Sequence, residues 1–451
     1  MKPHVVKRPI GSNPPEARLY YGVNVLDGLR LLDRASVQTI CTSPPFWGLR
    51  RYGLPDQDWG DWVGQLGLEP TPHLYVSHLV RIFREARKVL RPDGTLWLNL
   101  GDSYMSHPAK NLKGLGGFTG DRVRRDDDLH DSLSMDHRPK PGDIGLKDKD
   151  LVGIPWRVAL ALQADGWWLR NAIVWHKRNH MPSPTQDRFT CSYELIFLFT
   201  QAAHYYFDLD AVRVPHTYGT YDATGQFAPA QKWFEEGEGS RKMDQTEGQL
   251  GTMAGPPRRF GRGLYNPNGK NPGDTWQIST QPYPGAHFAV FPEGIPERCI
   301  LAGTSQKGCC PKCKAPWRRL VQKGGKVTPQ GTRGHNKAYT DAVRMGTESR
   351  KQGVTAEGTS GSGFEARVRK TIGWEPTCDC GLGPEPCTVL DPFSGSATTG
   401  KVALWLGRNY IGLDLSKDYL PMAEARILGQ KAPARDSDDE PNLIAELFGE
   451  E

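Results

Sequence analysis

Three groups of residues have types and spacings suited to chemistry. The first is Asp391-Pro392-Phe393-Ser394-Gly395-Ser396-Ala397-Thr398-Thr399, set between the apolar run TVLDPF and a helical run. Small residues there let a ligand approach the backbone, and the first turn of a helix offers unbonded N–H groups, which suits a nucleotide-like cofactor. Asp414 closes the next apolar run, NYIGLDL, one strand-helix unit later, where a carboxylate suits a ribose diol. A tight turn with a structural aspartate is the plain alternative. The loop is not a P-loop, because its Gly-Lys pair falls inside the helix, and it is not a dinucleotide fingerprint. The second group is Ser43-Pro44-Pro45-Phe46, directly after the buried-strand pattern SVQTICT. Two prolines fix φ and carry no N–H, so this loop is stiff and its carbonyls point one way. The plain alternative is a proline-rich strand end with a packed phenylalanine. The third group is Cys310 and Cys313 in GCCPKCKAPW, with Cys378 and Cys380 in TCDCG. Paired, short-spaced cysteines on two turns have the form of a zinc ribbon, four thiolates closing a tetrahedral structural site. The 64 residues between Cys313 and Cys378 are long for one and read as an excursion rich in Lys, Arg, Gly and Thr. Cys309 and Cys387 are alternative ligands, and free thiols are the alternative reading of the whole set.

DPFSGSATT together with TSPPF resembles the S-adenosylmethionine-dependent amino-methyltransferases of DNA. TSPPF lies N-terminal of DPFSGSATT, the circularly permuted order of the beta class. VGIPWRVALALQADGWWLRNAIVWHK and TQPYPGAHFAVFPEGIPERCI are similar to further blocks of that family, so the resemblance covers most of the chain. It implies a Rossmann-like α/β fold with a doubly wound, mainly parallel sheet. It implies S-adenosylmethionine held by Asn24, Thr42, Asp391, Pro392, Phe393, Ser394, Gly395, Ser396, Thr398, Thr399 and Asp414, and catalysis by Ser43, Pro44, Pro45 and Phe46. Two positions depart from the family pattern. Ala397 stands where the loop usually has its last glycine, and Val23-Asn24 stands for the usual Gly-Asp after the first strand. Asparagine still donates and accepts hydrogen bonds, so altered cofactor binding is expected rather than its loss.

The implied chemistry explains the stiff loop. An exocyclic amine is a poor nucleophile because its lone pair is delocalised into the ring. A site must localise that pair and aim it at the sulfonium methyl. Acceptors for the N–H bonds do this, and Ser43 Oγ and the Pro44 carbonyl are the candidates. Phe46 offers a face for a base flipped out of the duplex. Adenine-specific relatives usually carry Asp or Asn at the position of Ser43, so the serine form points to N4 of cytosine, with N6 of adenine as the alternative. A catalytically silent DNA-binding protein on the same scaffold, and a methyltransferase acting on RNA or a protein glutamine, are further alternatives. Cys41 precedes the prolines, whereas a cytosine-C5 enzyme needs its nucleophile directly after them, so covalent catalysis is not expected. Trp47, Arg50, Arg51 and Tyr52 either touch the base or its phosphates or form a solvated face. His176, His180 and His204 are scattered after strands and do not form a metal set.

Composition sets the outer bounds. The chain has 451 residues, 37% of them hydrophobic, with 51 glycines and 36 prolines, so much of its length is loop. A net charge of +6 permits a polyanionic partner without demanding one. Nine cysteines, several of them clustered, favour metal over disulfides in a reducing compartment. No apolar run is long enough to span a membrane, and the N-terminus lacks a signal-peptide core. The expected protein is soluble and cytoplasmic, a monomer or homodimer. Its expected partner is double-stranded DNA, with a cognate restriction endonuclease acting separately.

The elements that must position these residues follow from periodicity. ARLYYGVNVLDGLRLLDRASVQTICT reads as strand, short helix, strand. Leu74, Leu79, Ile82, Phe83, Ala86 and Leu90 fall near a 3.6-residue period and predict an amphipathic helix. RPDG is then a turn and TLWLNL a buried strand. A helix, a glycine turn and a strand follow over 151–177. SYELIFLFTQ and HYYFD are read as strands, and HFAVFPEGIPERCILAGTS as a stretch that carries a helix. The C-terminal unit reads strand, glycine loop, helix, strand, helix. Residues 17–213 form the catalytic half, with a loop insertion over 103–148. Residues 214–275 form the target-recognition region, and 276–304 with 387–430 the cofactor half. Residues 305–386 form the zinc insert and 431–451 an acidic tail.

Overall fold

The computed structural model describes residues 1–7, 14–49, 52–105, 145–183, 185–214, 220–221, 227–228, 269–281, 291–327 and 366–430. The chain divides into two units, Met1–Ala211 with Gly273–Arg318 and Glu375–Glu451, and Val212–Pro272 with Arg319–Trp374.

The first unit is built on one nine-stranded sheet. Its strands, in chain order, are β1 (His4–Lys7), β2 (Glu16–Tyr21), β3 (Val37–Thr42), β6 (Leu90–Leu100), β7 (Trp168–His176), β8 (Tyr193–Thr200), β11 (Thr275–Gln277), β14 (Thr388–Asp391) and β15 (Asn409–Asp414). Across the sheet they run β1-β2-β15-β14-β3-β6-β8-β7-β11. The pairs from β2 through β6, and β7 with β11, are parallel, whereas β1–β2, β6–β8 and β7–β8 are antiparallel. This is the mainly parallel, doubly wound arrangement that the alternating pattern predicts. Alternate residues of the central strands face two separate cores. Ile40, Leu390, Ile411 and Leu413 belong to one, Val389 and Tyr410 to the other. Burial on both faces is why these strands read as continuous apolar runs.

Helices α1 (Val25–Arg30), α2 (Pro72–Val89) and α3 (Ile154–Ala164) pack on the first core. Helices α4 (Gly294–Gly303), α5 (Thr398–Trp405) and α6 (Leu420–Leu428) pack on the second. Helix α2 shows the local logic. Thr71 caps it by accepting the Leu74 N–H at 3.1 Å, Pro72 occupies its first turn, and Tyr75, Leu79, Ile82, Phe83 and Ala86 are fully buried. Each large side chain of that stripe contributes about 1.5–3 kcal/mol. Short strands β4 (Gln57–Asp58) and β5 (Val63–Gly64) form a hairpin between β3 and α2. In the second unit β9 (Thr220–Tyr221) pairs with β10 (Phe227–Ala228); β12 (Trp317–Val327) pairs with β13 (Ala366–Pro376), a ribbon that starts in the first unit and continues in the second.

Two expectations need correction. RPDG is not a turn before a strand but a bulge within β6, since Leu90 pairs with Val37 and Thr95 already pairs with Thr39. Pro92 cannot donate to a ladder, and the extra residues loop out instead. HYYFD is not a strand. Tyr206 N–H donates to Asp93 O at 2.8 Å and Asp208 N–H to Ala302 O at 2.9 Å, while Phe207 packs near Trp97 with ring centres 6.4 Å apart. Its aromatic alternation serves ring packing across the sheet end. Most of the 103–148 insertion, most of 214–275 and the tail 431–451 lie outside the described residues.

Candidate active site

The C-terminal ends of β3, β6, β14 and β15 converge on one cavity of about 490 Å³. Asp391 closes β14. Its Oδ1 accepts from Thr42 Oγ1 at 2.6 Å and from Phe393 N–H at 3.0 Å, and its Oδ2 accepts from Thr399 Oγ1 at 2.8 Å. Burial nevertheless pushes its carboxyl up to about 6, with these three bonds acting against the rise. Asp414 closes β15. It accepts the N–H of Gly395 at 2.7 Å and of Ser416 at 2.8 Å, and burial pushes it, too, to about 6. A buried and a half-buried carboxylate without a basic partner among these bonds favour a cation in the same cavity.

The loop between them is shaped by bonds that local sequence does not reveal. Tyr21 OH donates to Gly395 O at 2.7 Å, and Ser394 Oγ lies 2.8 Å from Tyr21 OH and 2.7 Å from Tyr410 OH. Ala397 sits at φ 55, ψ 46, the left-handed region, just before α5. That explains why a glycine is usual at this place and why an alanine there carries strain.

The second side of the cavity is the proline loop. Ser43 Oγ donates to Asn99 Oδ1 at 3.1 Å, and Asn99, buried in β6, is oriented by its own amide donating to Leu195 O at 3.3 Å. With its proton directed to Asn99, the Ser43 oxygen keeps lone pairs available as an acceptor. Tyr75 OH donates to Pro45 O at 2.7 Å and locks the loop from α2. The Phe46 ring lies against Gly101, where an added Cβ would stand 2.7 Å from its Cε2. The hairpin segment after the loop is pinned by His78, whose Nδ1 is 2.9 Å from Glu69 Oε1 and Nε2 3.0 Å from Asp61 Oδ1, with Trp59 stacked at 4.6 Å. Burial lowers the His78 pKa, but the two carboxylates outweigh it and raise the net value.

Ser43, Pro44, Pro45 and Phe46 line the cavity together with Asn24 and Asp414. Asp391, Pro392, Phe393, Ser394, Gly395, Ser396 and Thr398 line it as well. Thr42 and Thr399 do not; they stand behind Asp391 and hold its two oxygens. Asn24 caps α1, accepting the Leu26 N–H at 2.8 Å, and its amide donates to Gln57. Trp47 is not a base or phosphate contact: it is 1% exposed, with its indole N–H on Glu69 O. Tyr52 lines the cavity, while Arg50 and Arg51 lie outside the described residues.

Sequence reasoning missed Asn99 and the polar wall formed by Gln57, Gln65, Asp102, Lys177 and Glu194. Lys177 Nζ pairs with Glu194 Oε1 at 2.5 Å. Asp102 accepts from the N–H groups of Gly153 and Ile154, both at 3.0 Å, so it caps α3 from the loop that follows β6. A lone polar residue ending an apolar run, as in LNLGD, was the available signal.

Away from the cavity, the sulfur atoms of Cys310, Cys313, Cys378 and Cys380 all lie within 4.8 Å of one another. This is the single group of three or more candidate metal ligands among the described residues, and no histidine joins it. Cys309 and Cys387 are buried outside that set, with their thiols directed to the carbonyls of Pro386 and Ser305.

Comparison with known proteins adds the following. A family model described as DNA methylase, of the N6/N4 type, matches residues 37–310 and 385–425. The chain is 31% identical over 421 residues to the Type II methyltransferase M.SmaI of Serratia marcescens, covering 93% of this chain and 94% of that protein. It is 37% identical over 288 residues to M.Cfr9I of Citrobacter freundii, covering 64% and 73%. To M.XycI of Xanthomonas campestris pv. cyanopsidis it is 30% identical over 424 residues, covering 93% and 92%. Among solved structures, the PvuII DNA methyltransferase (cytosine-N4-specific) aligns over 92% of this chain and 87% of that one, with a TM-score of 0.45 and 16% identity.

Proposed function

The chain belongs to the N6/N4 family of DNA methylases, and from that membership we propose that it transfers a methyl group from S-adenosylmethionine to the N4 amine of a cytosine in a specific double-stranded DNA site. The observation that carries the cytosine reading is the bond from Ser43 Oγ to Asn99 Oδ1 at 3.1 Å. A hydroxyl whose proton is engaged presents only acceptor capacity to the cavity, which suits an exocyclic N–H. The short serine side chain also leaves room that an Asp or Asn would take.

S-adenosylmethionine supplies an electrophilic methyl group when bound. The residues present fit it: Asp391 is a buried and Asp414 a half-buried carboxylate at the edge of a cavity with apolar walls at Val23, Phe393 and Leu415. Asp414 already holds the loop through Gly395 N–H and retains lone pairs for a ribose diol. Thr42 and Thr399 orient Asp391. On the other side, Ser43 Oγ and the Pro44 carbonyl accept from the amine and localise its lone pair, and Phe46 backs a flipped base. No residue need form a covalent bond. Cys41 is buried before the prolines, and its thiol is pushed well up, first by its bond with Cys299 and then by burial.

In this reading Cys310, Cys313, Cys378 and Cys380 hold a structural Zn²⁺, supported by the closeness of their sulfurs. Residues 214–275 read the target sequence, and a separate endonuclease recognises the same site, as the Type II relatives suggest. Among the described residues no helix is long and apolar enough to cross a membrane. The deciding experiment is digestion of methylated DNA to nucleosides followed by mass spectrometry. N4-methylcytosine is expected. N6-methyladenine as the sole product overturns the base assignment, and failure to bind S-adenosylmethionine or to modify DNA overturns the enzyme.

A further inference from the structure

The two cysteine turns lie apart from the cavity, yet they are bonded to the strands that build it. The first turn is closed by Lys314 N–H on Cys310 O at 2.9 Å and Cys310 N–H on Ala315 O at 2.8 Å, with Lys314 at φ 59. The second turn, which carries Cys378 and Cys380, is tied to it by Thr377 Oγ1 donating to Pro316 O at 2.6 Å. Cys309 and Glu385 exchange both backbone bonds at 2.8 Å beside them. Gly308, at φ +114, makes that approach feasible, since a Cβ there would stand 2.2 Å from Glu385 O. A tetrahedral ion with Zn–S near 2.3 Å sets sulfurs about 3.8 Å apart. The four sulfurs, all within 4.8 Å, need only a small contraction to meet it.

Two bonds lead from the first turn into the central sheet. Gln38, 4% exposed at the start of β3, donates through Nε2 to Lys314 O at 3.1 Å. Its Oε1 accepts the N–H of Thr388, the first residue of β14, at 2.6 Å. Arg91, in the β6 bulge, donates to Cys313 O. Strands β3 and β14 carry Thr42 and Asp391 at their other ends, where the two side chains meet at 2.6 Å. Both strands are short, so their relative register is set within a few residues of Gln38.

On the reading that the cluster holds zinc, we infer that the ion is a brace for the active site: it fixes the carbonyls of Cys313 and Lys314, and through Gln38 and Arg91 it holds β3, β14 and β6 in the alignment that the cofactor needs. Without the metal the first turn can open, and the buried Gln38 amide loses its acceptor. A buried donor left unsatisfied is destabilising. Relaxation at that end is passed along two short strands to Thr42 and Asp391. Because coupling is reciprocal, bound S-adenosylmethionine should also tighten metal binding.

The test uses the full-length protein. Zinc is measured by mass spectrometry of the metal, and Co²⁺ replacement reads thiolate ligation through its charge-transfer absorption. Calorimetric S-adenosylmethionine affinity and hydrogen exchange at the Thr388 amide are then compared in replete, chelator-stripped and zinc-restored protein. One zinc per chain is expected. Stripping should weaken cofactor affinity at least roughly fivefold and speed Thr388 exchange, with both restored by Zn²⁺. Gln38→Leu should keep its zinc while its cofactor affinity responds less to the metal than that of the wild type. Absence of zinc and of Co²⁺–thiolate absorption overturns the metal reading and the brace together. Zinc present, with Thr388 exchange and cofactor affinity unchanged by its removal, overturns the brace alone. Thr388 exchange reads the brace independently of whether the cofactor binds.

Discussion

Replacing Asp391 by asparagine should make the protein more stable near neutral pH and worse at holding its cofactor. The wild-type carboxyl titrates at about 6, against an ordinary 3.8, because burial opposes its charge. A folded-state pKa above the unfolded one means that the folded state binds the proton more tightly, so stability falls as pH rises between the two values. Below about pH 4 both states are protonated and nothing is lost. Above about pH 6 the folded protein carries the full cost, about 3 kcal/mol; at pH 5 it carries about 1.5 kcal/mol. Asparagine is nearly isosteric, and the three contacts that the carboxylate makes can be kept. Its Oδ1 takes over acceptance from Thr42 and Phe393, while its amide donates to Thr399 Oγ1. The Thr399 hydroxyl then turns to Cys41 O, which already lies 3.3 Å away. Urea denaturation of both proteins at pH 5 and pH 8, without cofactor, should show an advantage for Asp391→Asn that grows by about 1.5 kcal/mol between them. Calorimetry at pH 8 should show S-adenosylmethionine binding strongly weakened. An advantage that stays flat across this range, or a variant less stable at pH 8, would refute the burial argument. Normal cofactor affinity would place the binding pocket elsewhere.

Three further outcomes follow from the same geometry. Ser43→Ala should lower the methylation rate by a factor on the order of 100 or more with little change in DNA affinity, since its acceptor bond matters most in the transition state; an equal loss of affinity and rate in single-turnover assays would contradict that role. S-adenosylmethionine affinity should be level above pH 7 and fall below about 6 as the carboxyls of Asp391 and Asp414 take up protons, toward about tenfold per pH unit for each and about a hundredfold for both; calorimetry across pH 5 to 8 checks it, and a flat profile would exclude both as charged contacts. Ala397→Gly should change stability by less than about 1 kcal/mol, because relief of the left-handed strain offsets the lost methyl. The same change at Ala403, equally buried but inside α5, should cost about 2 kcal/mol, and equal losses in urea would remove strain as the explanation.

Features that depend on neighbours along the chain were legible from the residues alone. The stripe of α2, the strand-loop-helix around Asp391 and the stiff Ser43 loop are each written within about twenty residues, because helical period, φ restriction and caps act over one or a few turns. The cysteine pairs were legible for the same reason, and the two turns bring all four sulfurs together as their spacing suggested.

Other features were decided only when distant segments met. Thr42 bonds to Asp391, 349 positions away, and a sequence carries no mark of which side of a carboxylate a hydroxyl will occupy. Asn99 looked like one polar residue in a buried strand until the β3–β6 and β6–β8 pairings set it between Ser43 and Leu195. Trp47, beside the Ser43 loop in sequence, turns into the core, since burying its ring outweighs a wet role at the rim. Periodicity specifies which face of an element is buried. Register and packing specify what that face meets, and the Ser43 proton directed to Asn99, the strained alanine and the bond from Gln38 to the cysteine turn all belong to that second kind of information.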